Sequence, residues 1–133
     1  MGNLPDFERQ CKAVSDAADI FLRQNFSDSP KSIKVLMDDD LVVIRLDGFF
    51  CPAEVQMGKK KRDTVLMHEM YSKLFNETKD ALIEQIEQIL GKKIKASQMN
   101  VDFESEILVM DFHLVSKPDK ENKNLSLLIV EQK

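Results

Sequence analysis

Residues 41–54 read LVVIRLDGFFCPAE, and this segment contains both a strand pattern and a helix start. Its first part, from Leu41 to Leu46, is apolar and rich in β-branched residues, which is typical of a strand. Its last part places Pro52 and Glu54 directly after Cys51, which is the pattern of a helix start. The segment therefore predicts a strand that leads through a short turn into a helix.

The residues before this segment predict its hairpin partner. Ile33, Val35 and Met37 recur at every second position, as one face of a strand requires. The Asp triplet at 38–40 separates this run from Leu41, and a short Asp-rich connection is typical of a turn. No Gly-containing calcium-loop spacing accompanies the triplet, so we interpret it as a turn and not as a metal site. The two runs predict an antiparallel hairpin.

Two further segments repeat their apolar residues every three or four positions, which indicates helices. The first extends from Pro5 to Phe26. The second extends from Cys51 to the helix-stopping Gly91, and we expect Gly58 to kink or interrupt it. Its apolar face is unusually wide because it contains two rows of residues. The first row is Met67, Met70, Tyr71, Leu74, Thr78, Leu82, Gln85 and Ile89, and the second is Phe75, Ile83, Ile86 and Leu90.

Alternation returns after the second helix and predicts a second hairpin. Its strands fall near residues 94–103 and 107–115, with the turn at Glu104 and Ser105. The order helix, hairpin, helix, hairpin predicts an α+β fold in which a four-stranded antiparallel sheet carries the helices on one face. A chain of 133 residues predicts a single domain over residues 1–133, with a C-terminal tail at 117–133.

Composition limits the classes of function. A net charge of −4 gives no general reason to bind nucleic acid. Two cysteines, Cys11 and Cys51, are too few for a disulfide scaffold and suit a reducing compartment. The sequence shows neither a signal peptide nor about 20 consecutive apolar residues, which predicts a cytoplasmic protein. Neither His68 nor His113 has a Cys or His at zinc-ligand spacing, so we predict no metal, no cofactor and no catalytic residue.

Two apolar features predict a homodimer. The second helix has the wide apolar face described above, and the tail contains an apolar run at residues 125–130. A single small domain is not expected to bury both, and large exposed apolar patches usually mark an interface.

Six residues form the candidate binding patch, and each has a structural and a functional interpretation. Cys51 and Glu54 occupy the first and last positions of a capping box, in which Glu54 reaches back to the cap amide. The functional alternative is a Cys51 thiol whose thiolate form is favoured by the helix dipole. The basic run Lys59, Lys60, Lys61 and Arg62 follows. It is either a solvated helix face or a contact for phosphates or an anionic membrane.

Two stretches together resemble the MpsC-like family of small bacterial domains, long catalogued only as a domain of unknown function. The first is the segment at 41–54, and the second runs from Gly91 through Phe112. The resemblance covers roughly residues 10–116 and identifies the chain as a divergent member, since Phe50-Cys51 stands where the family has Leu-Thr. It implies the soluble component of a sodium-translocating, membrane-potential-generating system, and it carries over no catalytic residues.

We therefore expect a non-enzymatic accessory or regulatory subunit that docks on a membrane ion-transport partner. Its own membrane contact would be weak and peripheral, on the inner face of the membrane. The alternative is a small-ligand or anion-binding sensor domain that uses the start of the second helix and the basic run. A third and weaker alternative is a hydrolase or transferase that uses Cys51.

Overall fold

The computed structural model describes residues 3–26, 30–48 and 50–115. Its elements follow the expected order of helix, hairpin, helix and hairpin. They are α1 (Asn3–Phe26), β1 (Ser32–Asp38), β2 (Leu41–Asp47), α2 (Pro52–Met57), α3 (Lys61–Leu90), β3 (Ile94–Asp102) and β4 (Ile107–Leu114). The expected interruption at Gly58 is confirmed, because it divides the second helical segment into α2 and α3. The apolar run at 125–130 lies outside the described residues.

The four strands form one antiparallel sheet in the order β1-β2-β4-β3. The two hairpins therefore lie side by side, with β2 and β4 in the centre. In this register Asp47, at the end of β2, pairs with Ile107, at the start of β4. The Gly48 amide also donates a hydrogen bond to the Glu106 carbonyl at 3.2 Å. The β3–β4 turn consequently lies beside the point where the chain leaves β2 for α2.

The core lies between one face of the sheet and the helices, which confirms the predicted α+β packing. Alternate residues of the central strands are fully buried, as one covered face requires. Those in β2 are Val42, Ile44 and Leu46, and those in β4 include Leu108, Met110 and Phe112. The helices supply Val14, Ala18, Phe21 and Leu22 from α1 and Met67, Tyr71, Phe75, Leu82 and Ile86 from α3. These residues belong to a single hydrophobic cluster.

The wide apolar face of α3 is largely covered within one chain. Tyr71 from the first predicted row and Phe75 from the second are both buried, because α1 and the sheet approach α3 from different sides. The prediction was wrong for Met70 and Gln85, whose side chains are exposed. This face therefore gives no reason for a dimer, and the homodimer stays a prediction.

Glycine ends α3 by adopting a conformation that other residues rarely adopt. Gly91 has a φ of 68°, in the left-handed region, and its amide donates to the Glu87 carbonyl at 2.8 Å. The Glu87 side chain then accepts a hydrogen bond from the Ile94 amide at 2.9 Å. The same residue thus binds the end of the helix to the start of β3.

Candidate functional site

The candidate site lies at the corner where α2 meets α3. Cys51 is the N-cap of α2, with extended backbone angles, and Glu54 is the third residue of the helix. The Cys51 amide donates a hydrogen bond to Glu54 Oε1 at 3.1 Å, which is the reciprocal bond of a capping box. The structural interpretation of these two residues, a capping box at the helix start, is confirmed.

A tyrosine that sequence reasoning did not connect with this start completes the arrangement. The Tyr71 hydroxyl donates a hydrogen bond to Glu54 Oε2 at 2.7 Å. Tyr71 also lies within an aromatic cluster, with ring centres 5.7 Å from those of Phe50 and Phe103. Both carboxylate oxygens of Glu54 therefore accept hydrogen bonds within the chain. This is the geometry expected of a structural carboxylate that attaches α2 to α3.

The thiols occupy different environments and lie on different elements. Cys51 is partly buried at the start of α2, whereas Cys11 is on α1, and both are free. Burial, reinforced by the charge of Glu8, raises the pKa of the Cys11 thiol, so the thiolate of Cys11 is disfavoured. Helix α2 has only six residues, so its N-terminus offers little dipole to an anion or a thiolate. Neither thiol has the surroundings of an activated nucleophile.

The basic run divides between the connection and the helix. Lys59 and Lys60 lie in the turn after α2, whereas Lys61 and Arg62 begin α3, and all four side chains are exposed. The Thr64 hydroxyl closes this turn by donating to the carbonyls of Gly58 and Lys60, at 3.0 and 2.9 Å. Half of the run therefore lies in the connection between α2 and α3, and half lies at the start of α3. Its positive charges are grouped at the corner and do not form a stripe along one helix.

Close packing against the second hairpin keeps this corner in place. A Cβ atom added to Gly58 would lie 2.6 Å from the Cβ of Phe103, which is shorter than any real contact of this kind. The backbone of Gly58 is ordinary, with a φ of −65°, so the glycine is required for space and not for conformation. The α2–α3 connection consequently contacts the β3–β4 turn directly.

A shallow groove of about 570 Å³ lies between these two elements. Lys59, Lys61 and His68 line one side, and Asp102 and Glu104 line the other. Hydrogen bonds from Ser105, through both its side chain and its amide, together with the amide of Glu104, hold the pKa of Asp102 below its usual range. Carboxylates therefore face the lysines across the groove, so the lining of the groove itself has no excess of positive charge.

The corner also exposes large apolar side chains. Four of them, Met57, Val65, Leu66 and Met70, are between 39% and 57% exposed. We name as the corner surface the set Met57, Lys59, Lys60, Lys61, Arg62, Val65, Leu66 and Met70. Sequence reasoning identified its basic members but not its apolar ones. The signal for two of these was the spacing of Arg62, Leu66 and Met70 at intervals of four, which aligns them along one side of α3.

Other site types have no counterpart in the part of the chain that the structure describes. Within residues 3–26, 30–48 and 50–115, His, Cys, Asp and Glu side chains form no group of three that could hold a metal ion. Over the same ranges no helix is both long and apolar enough to cross a membrane. α1 and α3 instead each bury one side in the core and expose the other.

Comparison with known proteins identifies the family. Residues 9–116 match the family described as the Na+-translocating membrane potential-generating system (MpsC), which covers most of the chain. No curated protein and no solved structure matches the chain. The matched residues include every strand, all of α2 and α3, and most of α1. The strand and capping box at residues 41–54, which carried the resemblance in the sequence, also lie within the match. The chain therefore belongs to the MpsC family.

Proposed function

We propose that this chain is a non-enzymatic accessory or regulatory subunit of a sodium-translocating, membrane-potential-generating system, and that it docks on a membrane-embedded transport partner. The observation that carries the proposal is the family match over residues 9–116. The ion-translocating path itself would belong to the partner, because a path across a bilayer needs spanning elements. The subunit would act from the cytoplasmic side, at the inner face of the membrane.

The chemistry of the candidate site supports an accessory role over catalysis. Glu54 has both oxygens engaged by Cys51 and Tyr71, so it is not available as a general base. The hydrogen bond between Cys51 and Glu54 joins the backbone amide of Cys51, and not its thiol, to the carboxylate, so this contact does not activate a nucleophilic thiol. These side chains hold the helix start in place, and a surface free for docking remains at the corner.

A cellular measurement tests the proposed function. Deleting the gene in its own cell should lower the membrane potential that depends on external Na+, as reported by a voltage-sensitive dye. Expression of the wild-type chain should restore it, whereas an unrelated small acidic protein serves as the control. A deletion strain with an unchanged Na+-dependent potential would contradict the proposal.

Purification from solubilised membranes tests the docking step. A tagged chain should retain a multi-spanning ion transporter in mild detergent, and the isolated pair should survive gel filtration. The same chain carrying Gly58→Ala, which should disturb the corner, should retain less of the transporter, and the tag alone is the control. If the transporter is recovered equally with the tag alone, the docking step is wrong.

The homodimer forms part of the same proposal and is supported by the apolar run at residues 125–130 in the sequence. Light scattering at micromolar concentration should give twice the 15.3 kDa mass of the chain. A truncation after Val115 should reduce this to the mass of one chain. A wild-type chain that scatters as a monomer would refute the dimer.

A further inference from the structure

We propose that the corner surface binds the anionic phospholipids of a bilayer peripherally. This inference deepens the proposed function by naming the lipid surface on which the subunit would meet its partner. It combines two properties that interfacial binding requires on one face, namely exposed apolar side chains and a local excess of positive charge.

The apolar side chains are concentrated at this corner. The structure shows eight large apolar side chains that are exposed within the described residues, and half of them belong to the corner surface. Leu66 is 57% exposed, and Val65 and Met70 are each 54% exposed. Apolar side chains scattered singly need no explanation, but a cluster of this kind marks an interaction site.

Helical spacing places these residues beside the cations. Arg62, Leu66 and Met70 follow one another at intervals of four, which aligns them along one side of α3. Val65 is adjacent to this line. Met67 and Tyr71, each one position further along the helix than Leu66 and Met70, are buried in the core. The exposed side of the first turns of α3 therefore presents apolar and cationic groups together, so both kinds of group can contact the same surface.

The charge of this region is opposite to that of the chain. Residues 57–73 contain five basic side chains and two acidic ones, whereas the whole chain has 19 basic and 23 acidic. The two acidic residues are Asp63, which is partly buried, and the exposed Glu69. Asp102 and Glu104 face the lysines only across the groove. The corner surface is thus a positive patch on an acidic protein, which orients it towards an anionic partner.

Charge complementarity favours a lipid leaflet over a second copy of the chain. A symmetric contact through this surface would bring two sets of Lys59, Lys60, Lys61 and Arg62 together, and like charges repel. An anionic leaflet instead offers a negative potential to the cations and an acyl boundary to Leu66 and Met70. Attraction of this kind is weak and reversible, in agreement with peripheral contact.

Co-sedimentation with vesicles tests the inference. The purified chain should sediment with vesicles of phosphatidylglycerol and phosphatidylcholine at low salt, and not with vesicles of phosphatidylcholine alone. Replacing Lys59, Lys60, Lys61 and Arg62 with Gln should weaken binding about tenfold or more. The matched control replaces Lys12, Lys34, Lys93 and Lys95 with Gln, because these exposed lysines lie elsewhere and the change in charge is the same. It should bind as the wild type does.

A second pair of variants tests the apolar contribution. Leu66→Gln together with Met70→Gln should also weaken binding to the anionic vesicles at low salt, although this variant keeps all four cations, because apolar groups add to the attraction at the interface. Ile20→Gln together with Phe7→Gln is the control on α1, where both residues are exposed. Unchanged melting temperatures would show that all four variants fold.

The inference is overturned if the wild type fails to bind anionic vesicles at low salt, or if the corner variants bind as well as their controls. This experiment contains no protein partner. Lipid binding can therefore prove absent even if deletion of the gene lowers the Na+-dependent membrane potential, so the two proposals are tested separately.

Discussion

A glycine lies near each end of α3, Gly58 before its start and Gly91 after its end. The two glycines are needed for different physical reasons. Gly58 has ordinary helical angles and is needed because Phe103 leaves no room for a Cβ atom. Gly91 has open space around it and is needed because its φ is positive. The first end is held by tertiary packing against another hairpin, whereas the second ends by local backbone geometry. A glycine near a helix end can therefore indicate either close packing or a left-handed backbone, and the sequence alone does not distinguish the two.

The largest effect is expected from Gly58→Ala. The added Cβ must displace Phe103 or the α2–α3 connection, and overpacking of this kind costs about 2 kcal/mol of the free energy of unfolding. Chemical denaturation measures the loss. Gly58→Asn should be at least as destabilising, because no polar side chain relieves the lack of space. A variant as stable as the wild type would mean that the connection does not contact Phe103.

The next effect is expected from Tyr71→Phe at the same end of α3. This change removes the donor to Glu54 and leaves the aromatic packing, so the loss should be about 1.5 kcal/mol, as for a hydrogen bond to a charged group. A double-mutant cycle with Glu54→Gln isolates the pair. Additive losses in the cycle would show that the two side chains do not interact in solution.

At the opposite end, Gly91→Ala should cost about 1 kcal/mol, because a Cβ atom disfavours the left-handed conformation. Gly91→Asn should recover part of this loss, since Asn tolerates that conformation. Thermal unfolding of the wild type, Gly91→Ala and Gly91→Asn gives the order of their stabilities. If Asn recovers stability relative to Ala at position 91 but not at position 58, the two glycines are needed for different reasons. The same response at both positions would contradict this.

A smaller effect of opposite sign is expected from Cys51→Thr. Cys51 has the extended backbone angles of an N-cap, and a hydroxyl accepts an amide hydrogen bond better than a thiol does. We expect a gain of about 0.5 kcal/mol in the free energy of unfolding. Cys51→Val is the control, because it has the shape of Thr without the hydroxyl and should give no gain. A melting temperature lowered by Thr would indicate that the thiol has another use.

The smallest effect concerns the pH dependence of the turn that Gly58 approaches. Ser105 lowers the pKa of Asp102, so the charged carboxylate is the form that the folded turn favours. The stabilisation is present above the pKa that Asp102 has in the unfolded chain. It is lost as the pH falls through the lowered pKa of the folded chain. An NMR titration should place the Asp102 pKa below that of an ordinary Asp, and Ser105→Ala should return it towards normal. Identical titration curves would exclude the bond.

Local patterns were sufficient for the elements themselves. Alternation at Ile33, Val35 and Met37 predicted β1, and the helical spacing before Phe26 predicted α1, because periodicity depends only on which side of an element is buried. The capping box at Cys51 and Glu54 was also readable, since it joins residues three positions apart. The same reasoning assigned Met70 and Gln85 to the core, and there it was wrong. The spacing of residues along a helix does not show how much of the helix circumference is covered by the elements that pack against it.

The α+β class, the order of the elements, the interruption at Gly58 and the family could all be inferred from the sequence. The strand order β1-β2-β4-β3, the contact between Gly58 and Phe103, and the bond from Tyr71 to Glu54 became known only from the folded structure. The reason is distance along the chain. Periodicity and capping are properties of neighbouring residues. The β2–β4 pairing and the other two contacts join residues between 17 and 72 positions apart, and only the packed core brings them together.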